Sequence, residues 1–99
     1  MINKMVTFKV RKEALDEAKM LVREFVENIK LNEEDTLLYR AHQQAKEPTR
    51  FVHFMTFADE YAERLHKSSN YNEEFVDMIT PLCEEEILVV ELSRLAFHD

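Results

Sequence analysis

Ninety-nine residues, 45% hydrophobic and 33% charged, make one globular unit (1–99) and not a disordered chain. Thirteen Lys and Arg against twenty Asp and Glu give a formal net charge of −7, which argues against a nucleic-acid or anionic-membrane partner. One cysteine excludes a disulfide framework, and zero glycines exclude phosphate loops, dinucleotide fingerprints and nucleophile elbows, which all turn on Gly.

Residues 2–10 alternate as a strand, with Ile2, Val6, Phe8 and Val10 on one face and Asn3, Met5, Thr7 and Lys9 on the other. The second face mixes Met, Thr and Asn, a composition suited to a semi-polar cavity. From Arg11 to Ile29 the period lengthens. Ala14, Ala18, Leu21, Val22, Phe25, Val26 and Ile29 recur at three- and four-residue steps, the apolar stripe of an amphipathic helix. The acidic stretch 32–35 ends it, and with no Gly available Asn32 or Asp35 is the residue expected to take positive φ. Strands follow at 36–44 and 50–57, separated by a hairpin loop at 46–49 in which Pro48 cannot donate to a ladder. The second strand is apolar on both faces, so both should be covered.

Asp59 is placed to cap a short helix carrying Tyr61, Ala62, Leu65 and His66. Residues 68–70 break that helix and offer a second cap. Phe75, Met78, Ile79 and Leu82 mark a further helix closing near Pro81, and 84–95 supplies the last strand before a tail (96–99) expected to fray. The order β-α-β-β-α-(α)-β is a two-layer α+β plan, with helices on one face of a four-stranded sheet. The other face would expose apolar side chains, so a homodimer packed sheet to sheet is expected. No apolar run reaches the ~18 residues of a bilayer span, and there is no signal-peptide core. No membrane association and a reduced, cytoplasmic compartment are therefore expected.

The segment 51–66, Phe-Val-His-Phe-Met-Thr-Phe-Ala-Asp-Glu-Tyr-Ala-Glu-Arg-Leu-His, resembles the strand-to-helix segment of the antibiotic biosynthesis monooxygenase family. Phe57 stands as the aromatic residue ending the strand, Asp59 as the cap, Ala62 as the alanine and His66 as the histidine at the helix end. Ser68-Ser69-Asn70 and Phe75 match the small-residue break and aromatic helix that follow, and residues 33–39 look like the family's acidic turn leading to a strand Tyr. The resemblance implies a ferredoxin-like α+β unit with a four-stranded antiparallel sheet, dimerising face to face as a dimeric α+β barrel. It also implies an activity among cofactor-free monooxygenases of quinols and aromatic polyketides, a haem-degrading branch, or an isomerase of small phosphorylated carbonyl compounds. Two positions depart from the family: Phe57 stands where Trp is common and Met55 where a carboxylate is common. The haem-degrading branch relies on an Asn, Trp and His set, and this chain has no Trp.

His66 is the catalytic candidate. A neutral imidazole there would accept a proton from a phenolic substrate, or else the residue only caps its helix, where a cation is favoured by the dipole. Asn3, Tyr39, Met55, Phe57 and Tyr71 are the substrate-binding candidates: amide and phenols to orient an oxygen, Met and Phe to wall an aromatic ring. Arg40 falls on the strand face opposite Tyr39. His42 and His53, on neighbouring strands, would make a weak metal pair lacking a third ligand, so neither a metal nor a cofactor is expected. Cys83, followed by Glu84-Glu85-Glu86, reads as structural, because adjacent negative charge raises a thiol's pKa.

The favoured function is a cofactor-independent monooxygenase acting on a small quinol or polycyclic aromatic molecule in a cavity between sheet and helices. Two alternatives remain open: a non-catalytic ligand-binding or assembly module on the same barrel, and an isomerase of a small carbonyl compound drawing on Arg40 or Arg50.

Overall fold

The computed structural model describes residues 1–98; Asp99, the end of the tail expected to fray, lies outside them. Strand β1 (Ile2–Lys9) leads through a 3-10 turn (Lys12–Ala14) into helix α1 (Leu15–Asn32), then β2 (Thr36–Gln44) and β3 (Glu47–Phe57). Helices α2 (Glu60–Ser68) and α3 (Asn70–Ile79) follow, then a second 3-10 turn (Thr80–Leu82) and β4 (Leu88–Leu92). The strands form one antiparallel sheet in the order β2-β3-β1-β4. The alternation and periodicity anticipate this two-layer α+β plan, and the family resemblance its ferredoxin-like arrangement.

Helix α1 runs one turn further than its apolar stripe requires. The Asn32 amide donates to the Asn28 carbonyl at 2.8 Å and the Glu33 N–H to the Ile29 carbonyl at 2.9 Å, so two end carbonyls are satisfied without a left-handed residue. The expectation of positive φ at Asn32 or Asp35 is therefore wrong: among the described residues no φ is positive. Glu33 is instead extended (φ −118°, ψ 91°), which turns the chain straight off the helix.

The loop expected at 46–49 is also shorter than predicted. Strand β3 already begins at Glu47, because the register shifts between Gln43 and Gln44 and Pro48 contributes a carbonyl, accepting from the Gln43 amide at 2.9 Å. Strand β4 spans five residues rather than the twelve expected. Before it, the chain meets the end of β1 at the Val10–Cys83 bridge and where the Glu84 N–H donates to the Lys9 carbonyl.

The helices pack on the face carrying Val6, Phe8, Phe51, His53, Met55 and Phe57. One buried cluster joins Phe8, Val10, Ala18, Leu21, Val22, Phe51 and Ile79; a smaller one joins Met55, Phe57 and Ala62. Phe8 and Phe51, directly opposite in register, stack at 5.0 Å. Burial of each such ring contributes about 1.5–3 kcal/mol. The opposite face has no helix over it and exposes Phe54, Leu88, Val90 and Leu92. The expectation that both faces of β3 are covered is thus met on one face only. No helix among the described residues is long and apolar enough to cross a membrane.

Candidate functional site

Between the sheet and the helices, the two buried clusters leave a cavity of about 200 Å³. Its walls are Val6, Phe8, Phe25, Met55, Phe57, Phe75 and Ile79, and its polar groups are Tyr39, His53 and His66, with Lys4, Glu63 and Lys67 among the lining. The even-numbered residues of β1 face it. That reverses the expectation from the sequence: Asn3 and Met5 lie on the uncovered face, and the Asn3 amide oxygen accepts from the Thr56 hydroxyl at 2.8 Å. Asn3 is accordingly no neighbour of the cavity. Strand alternation separates two faces but does not say which one the helices will cover.

His66 sits in the last turn of α2, and that helix is held at both ends. The Asp59 carboxylate accepts from the Ala62 N–H at 2.9 Å at the start of the helix. At its end the Ser69 hydroxyl donates to the His66 carbonyl at 2.8 Å and accepts from the Asn72 N–H at 3.2 Å, so one serine closes α2 and opens α3. The His66 ring is 6% exposed and turns inward against Phe57 and Phe25, centroids 5.2 and 5.7 Å away. It is not a surface cap.

The partner of His66 is Glu33. Its carboxylate oxygens lie 2.9 and 3.0 Å from His66 Nδ1, and it also accepts from the Thr36 hydroxyl at 2.5 Å and from the Tyr71 hydroxyl. Burial by itself would raise the Glu33 pKa, but the hydrogen bonds from His66, Thr36 and Tyr71 outweigh it and hold the carboxyl below its usual value. In a neutral ring, an ionised acceptor on Nδ1 selects the tautomer with the proton on that nitrogen and leaves Nε2 as the lone-pair acceptor. Among the described residues, Nε2 has no hydrogen-bond partner. Tyr71 therefore acts on Glu33 and does not line the cavity; its own pKa is pushed up to about 12, by burial first and then by Glu33.

Tyr39, Met55 and Phe57 do line the cavity. Tyr39 pairs with Met55 in register and stands diagonal to His53, whose Nδ1 lies 2.8 Å from the Tyr39 hydroxyl. Burial, reinforced by Glu33, raises the Tyr39 pKa and keeps it a phenol. Burial, reinforced by His42, lowers the His53 pKa from 6.5 to about 4 and keeps it neutral. His42 pairs with Val52 on the other face, so the two histidines do not form a metal pair, and no metal-binding group occurs among the described residues. Arg40 pairs with Phe54 on the uncovered face, and Arg50 is tied to Glu85 at 3.1 Å; neither reaches the cavity. The cations that do are Lys4 and Lys67, bound to Glu63 at 2.5 and 3.3 Å. The Cys83 thiol is pushed up by burial and stays a poor nucleophile.

Glu33 is the residue the sequence did not single out, and His53 was weighed only as half of a weak metal pair with His42. Glu33 belongs to an acidic run in which it differs from its neighbours only by tertiary contacts. His53 had one usable signal, a polar residue in phase with Phe51, Met55 and Phe57 on the buried face of β3.

The family model for antibiotic biosynthesis monooxygenases matches residues 1–78. Among solved structures, the chain is similar to an antibiotic biosynthesis monooxygenase at 24% identity, covering 97% of this chain and 100% of that one with a TM-score of 0.89. A putative antibiotic biosynthesis monooxygenase from Nitrosomonas europaea is 21% identical over 97% and 100% of the two chains, TM-score 0.88. A conserved protein from Methanosarcina mazei Go1 is 19% identical over 95% and 92%, TM-score 0.86. No functionally curated protein matches. At these identities the structures establish a shared fold, and the family match over more than three quarters of the sequence goes further: the chain belongs to the antibiotic biosynthesis monooxygenase family.

Proposed function

We propose that this chain is a cofactor-independent monooxygenase of a small quinol-type aromatic, with His66 as the general base. The observation that carries this reading is the Glu33-oriented imidazole at the wall of an apolar cavity. His66 Nε2 takes the proton of a bound hydroxyl, and the resulting anion is a far stronger one-electron reductant than the neutral quinol. It passes one electron to dioxygen, and the caged radical and superoxide recombine to form a carbon–oxygen bond. Loss of water then leaves the oxidised product. For a hydroquinone the balance is substrate plus O2 giving hydroxyquinone plus H2O, so dioxygen is the only oxidant required. Apolar walls favour the encounter by keeping water from the radical pair.

Cavity size narrows the substrate. A dry apolar cavity of roughly 150 Å³ accommodates benzene. About 200 Å³ therefore suits one or two fused rings better than a tricyclic polyketide. Tyr39, Met55 and Phe57 contact the ring in this reading, and Tyr71 positions His66 through Glu33. The same cavity weighs against a non-catalytic assembly module with an interior filled by Phe51, Met55 and Phe57, while a non-catalytic ligand-binding module would keep it. The isomerase reading would need an Arg or Lys for a phosphate; Arg40 and Arg50 lie away from the cavity, and the two lysines that line it, Lys4 and Lys67, are already paired with Glu63. The uncovered sheet face, with Phe54, Val90 and Leu92 exposed, supports a homodimer packed through it. The single free cysteine, Cys83, is what supports a reduced cytoplasmic compartment.

The test is dioxygen uptake with a panel of benzohydroquinones, naphthohydroquinones and anthrones, with chelator present, no flavin, and an autoxidation blank for each. Uptake above blank is expected for one- and two-ring substrates. It should fall about 10²–10⁴-fold in His66→Ala and by less in Glu33→Gln, which keeps the base but loosens its orientation. Uptake at the blank rate across the panel would sink the oxygenase reading.

A further inference from the structure

His53 is a buried polar side chain that the mechanism above leaves unused. Only 1% of it is exposed, it lines the same cavity as His66, and its Nε2 is the one fully buried side-chain nitrogen or oxygen among the described residues without a hydrogen-bond partner. Its other nitrogen is committed to Tyr39 at 2.8 Å. Two directions are open to that bond: Nδ1–H donating to the phenol oxygen, or the Tyr39 hydroxyl donating to Nδ1. The second puts the proton of the neutral ring on Nε2, the nitrogen that has no partner among the described residues. The fall of the His53 pKa to about 4 and the rise at Tyr39 agree with both groups keeping these neutral forms.

With the proton of His53 on Nε2, the two imidazoles lining the cavity would offer it opposite hydrogen-bonding roles. A carboxylate on Nδ1 makes His66 an acceptor at Nε2; a phenol on Nδ1 makes His53 a donor at Nε2. Tyr39 lies between them, its ring centroid 5.5 Å from His53 and 6.0 Å from His66. We propose that His53 Nε2–H is a substrate-contacting donor, so that the cavity selects aromatic rings bearing an acceptor oxygen in addition to the hydroxyl that His66 deprotonates. This rests on the cavity being the substrate site and on His66 being its base. Hydroquinones and their monoethers meet the requirement. Monohydroxy aromatics do not, because they leave a buried donor unpaired.

The experiment is an anaerobic binding titration of 1-naphthol against its 2-, 4- and 5-methoxy derivatives, which add an acceptor oxygen but no new proton. One methoxy isomer should bind about tenfold tighter than 1-naphthol, the scale of one neutral hydrogen bond. That gain should vanish in His53→Leu and in large part in Tyr39→Phe, which frees the tautomer, and should persist in His53→Gln, whose amide can donate. In parallel, long-range ¹H–¹⁵N NMR of the ligand-free protein should find His53 with its proton on Nε2. No gain for any isomer, a gain that survives in His53→Leu, no binding of any probe, or a proton on Nδ1 would each overturn the proposal. Selective binding without dioxygen uptake would sink the oxygenase reading and leave this donor role standing.

Discussion

The two faces of the sheet are built from the same alternating strands and end in opposite conditions. On the covered face, residues of β1, β2 and β3 meet α1, α2 and α3 and enclose Phe8, Phe51, Met55, Phe57 and two neutral-ring or carboxylate-paired imidazoles. On the uncovered face, Met5, Phe54, Val90 and Leu92 run across neighbouring strands with no helix above them, beside polar Asn3, Arg40 and His42. Composition does not distinguish the faces, since both carry aromatics, a Met and at least one His. Enclosure does. The low dielectric of the covered face depresses His53 and makes each of its polar groups depend on a named partner, whereas His42 on the other face merely packs its edge on Phe54, 6.1 Å away.

The sharpest way to break this contrast is to truncate the covered face. Phe57→Ala removes a 1%-exposed ring that supports both Met55 and His66, and should cost about 3–5 kcal/mol of unfolding free energy in a denaturant titration. A cost below about 1 kcal/mol would mean that the site collapses and that the cavity is not rigid.

Acid is the next lever. His53 has a folded-state pKa of about 4 against 6.5 in the open chain, so folding favours its neutral form. Its contribution is fully present above pH 6.5 and is lost as pH falls from there toward 4, on the order of 3 kcal/mol at 1.36 kcal/mol per pKa unit. Glu33, whose folded-state pKa is depressed, adds a second loss that begins only below its ordinary value of 4.5. Chemical denaturation across that pH range should thus show an upper acid limb that is missing from His53→Leu. If His53→Leu keeps the limb, burial of His53 is not its source.

The smallest effect is expected on the uncovered face. Phe54→Ser changes a ring already 38% exposed and should shift dilute-monomer stability by no more than about 1 kcal/mol. It should nevertheless weaken self-association in sedimentation velocity if that face is where two copies meet. A Phe54→Ser protein that sediments like the parent would remove this face from the proposed dimer.

Much of the fold was legible in the sequence because it is written in periods. The three- and four-residue spacing from Ala18 to Ile29, the alternation along β1 and β3, and Asp59 ahead of Ala62 depend on local backbone geometry alone, and each became the element it predicts. Breaks were less legible: Pro48 joined a strand at a register shift, where it lends only its carbonyl, to the Gln43 amide, and α1 ended without a left-handed residue because the Asn32 side chain closed it. Within the site, His66, Met55 and Phe57 were reached through the family resemblance and Tyr39 as a strand phenol, while Asn3 was placed on the wrong side and Tyr71 contacts Glu33 instead of the cavity.

By itself, then, the sequence determined the elements, their order, the absence of glycine-dependent chemistry and the presence of a histidine at the end of α2. Tertiary structure alone decided which face of the sheet is enclosed, which acid of the run at Glu33, Glu34 and Asp35 meets His66 from 33 residues away, and how Tyr39 directs His53. The physical reason is one of range. Helix and strand periods are set by neighbours within four residues, whereas burial, tautomer and ionisation are set by whatever the fold brings to within 3 Å.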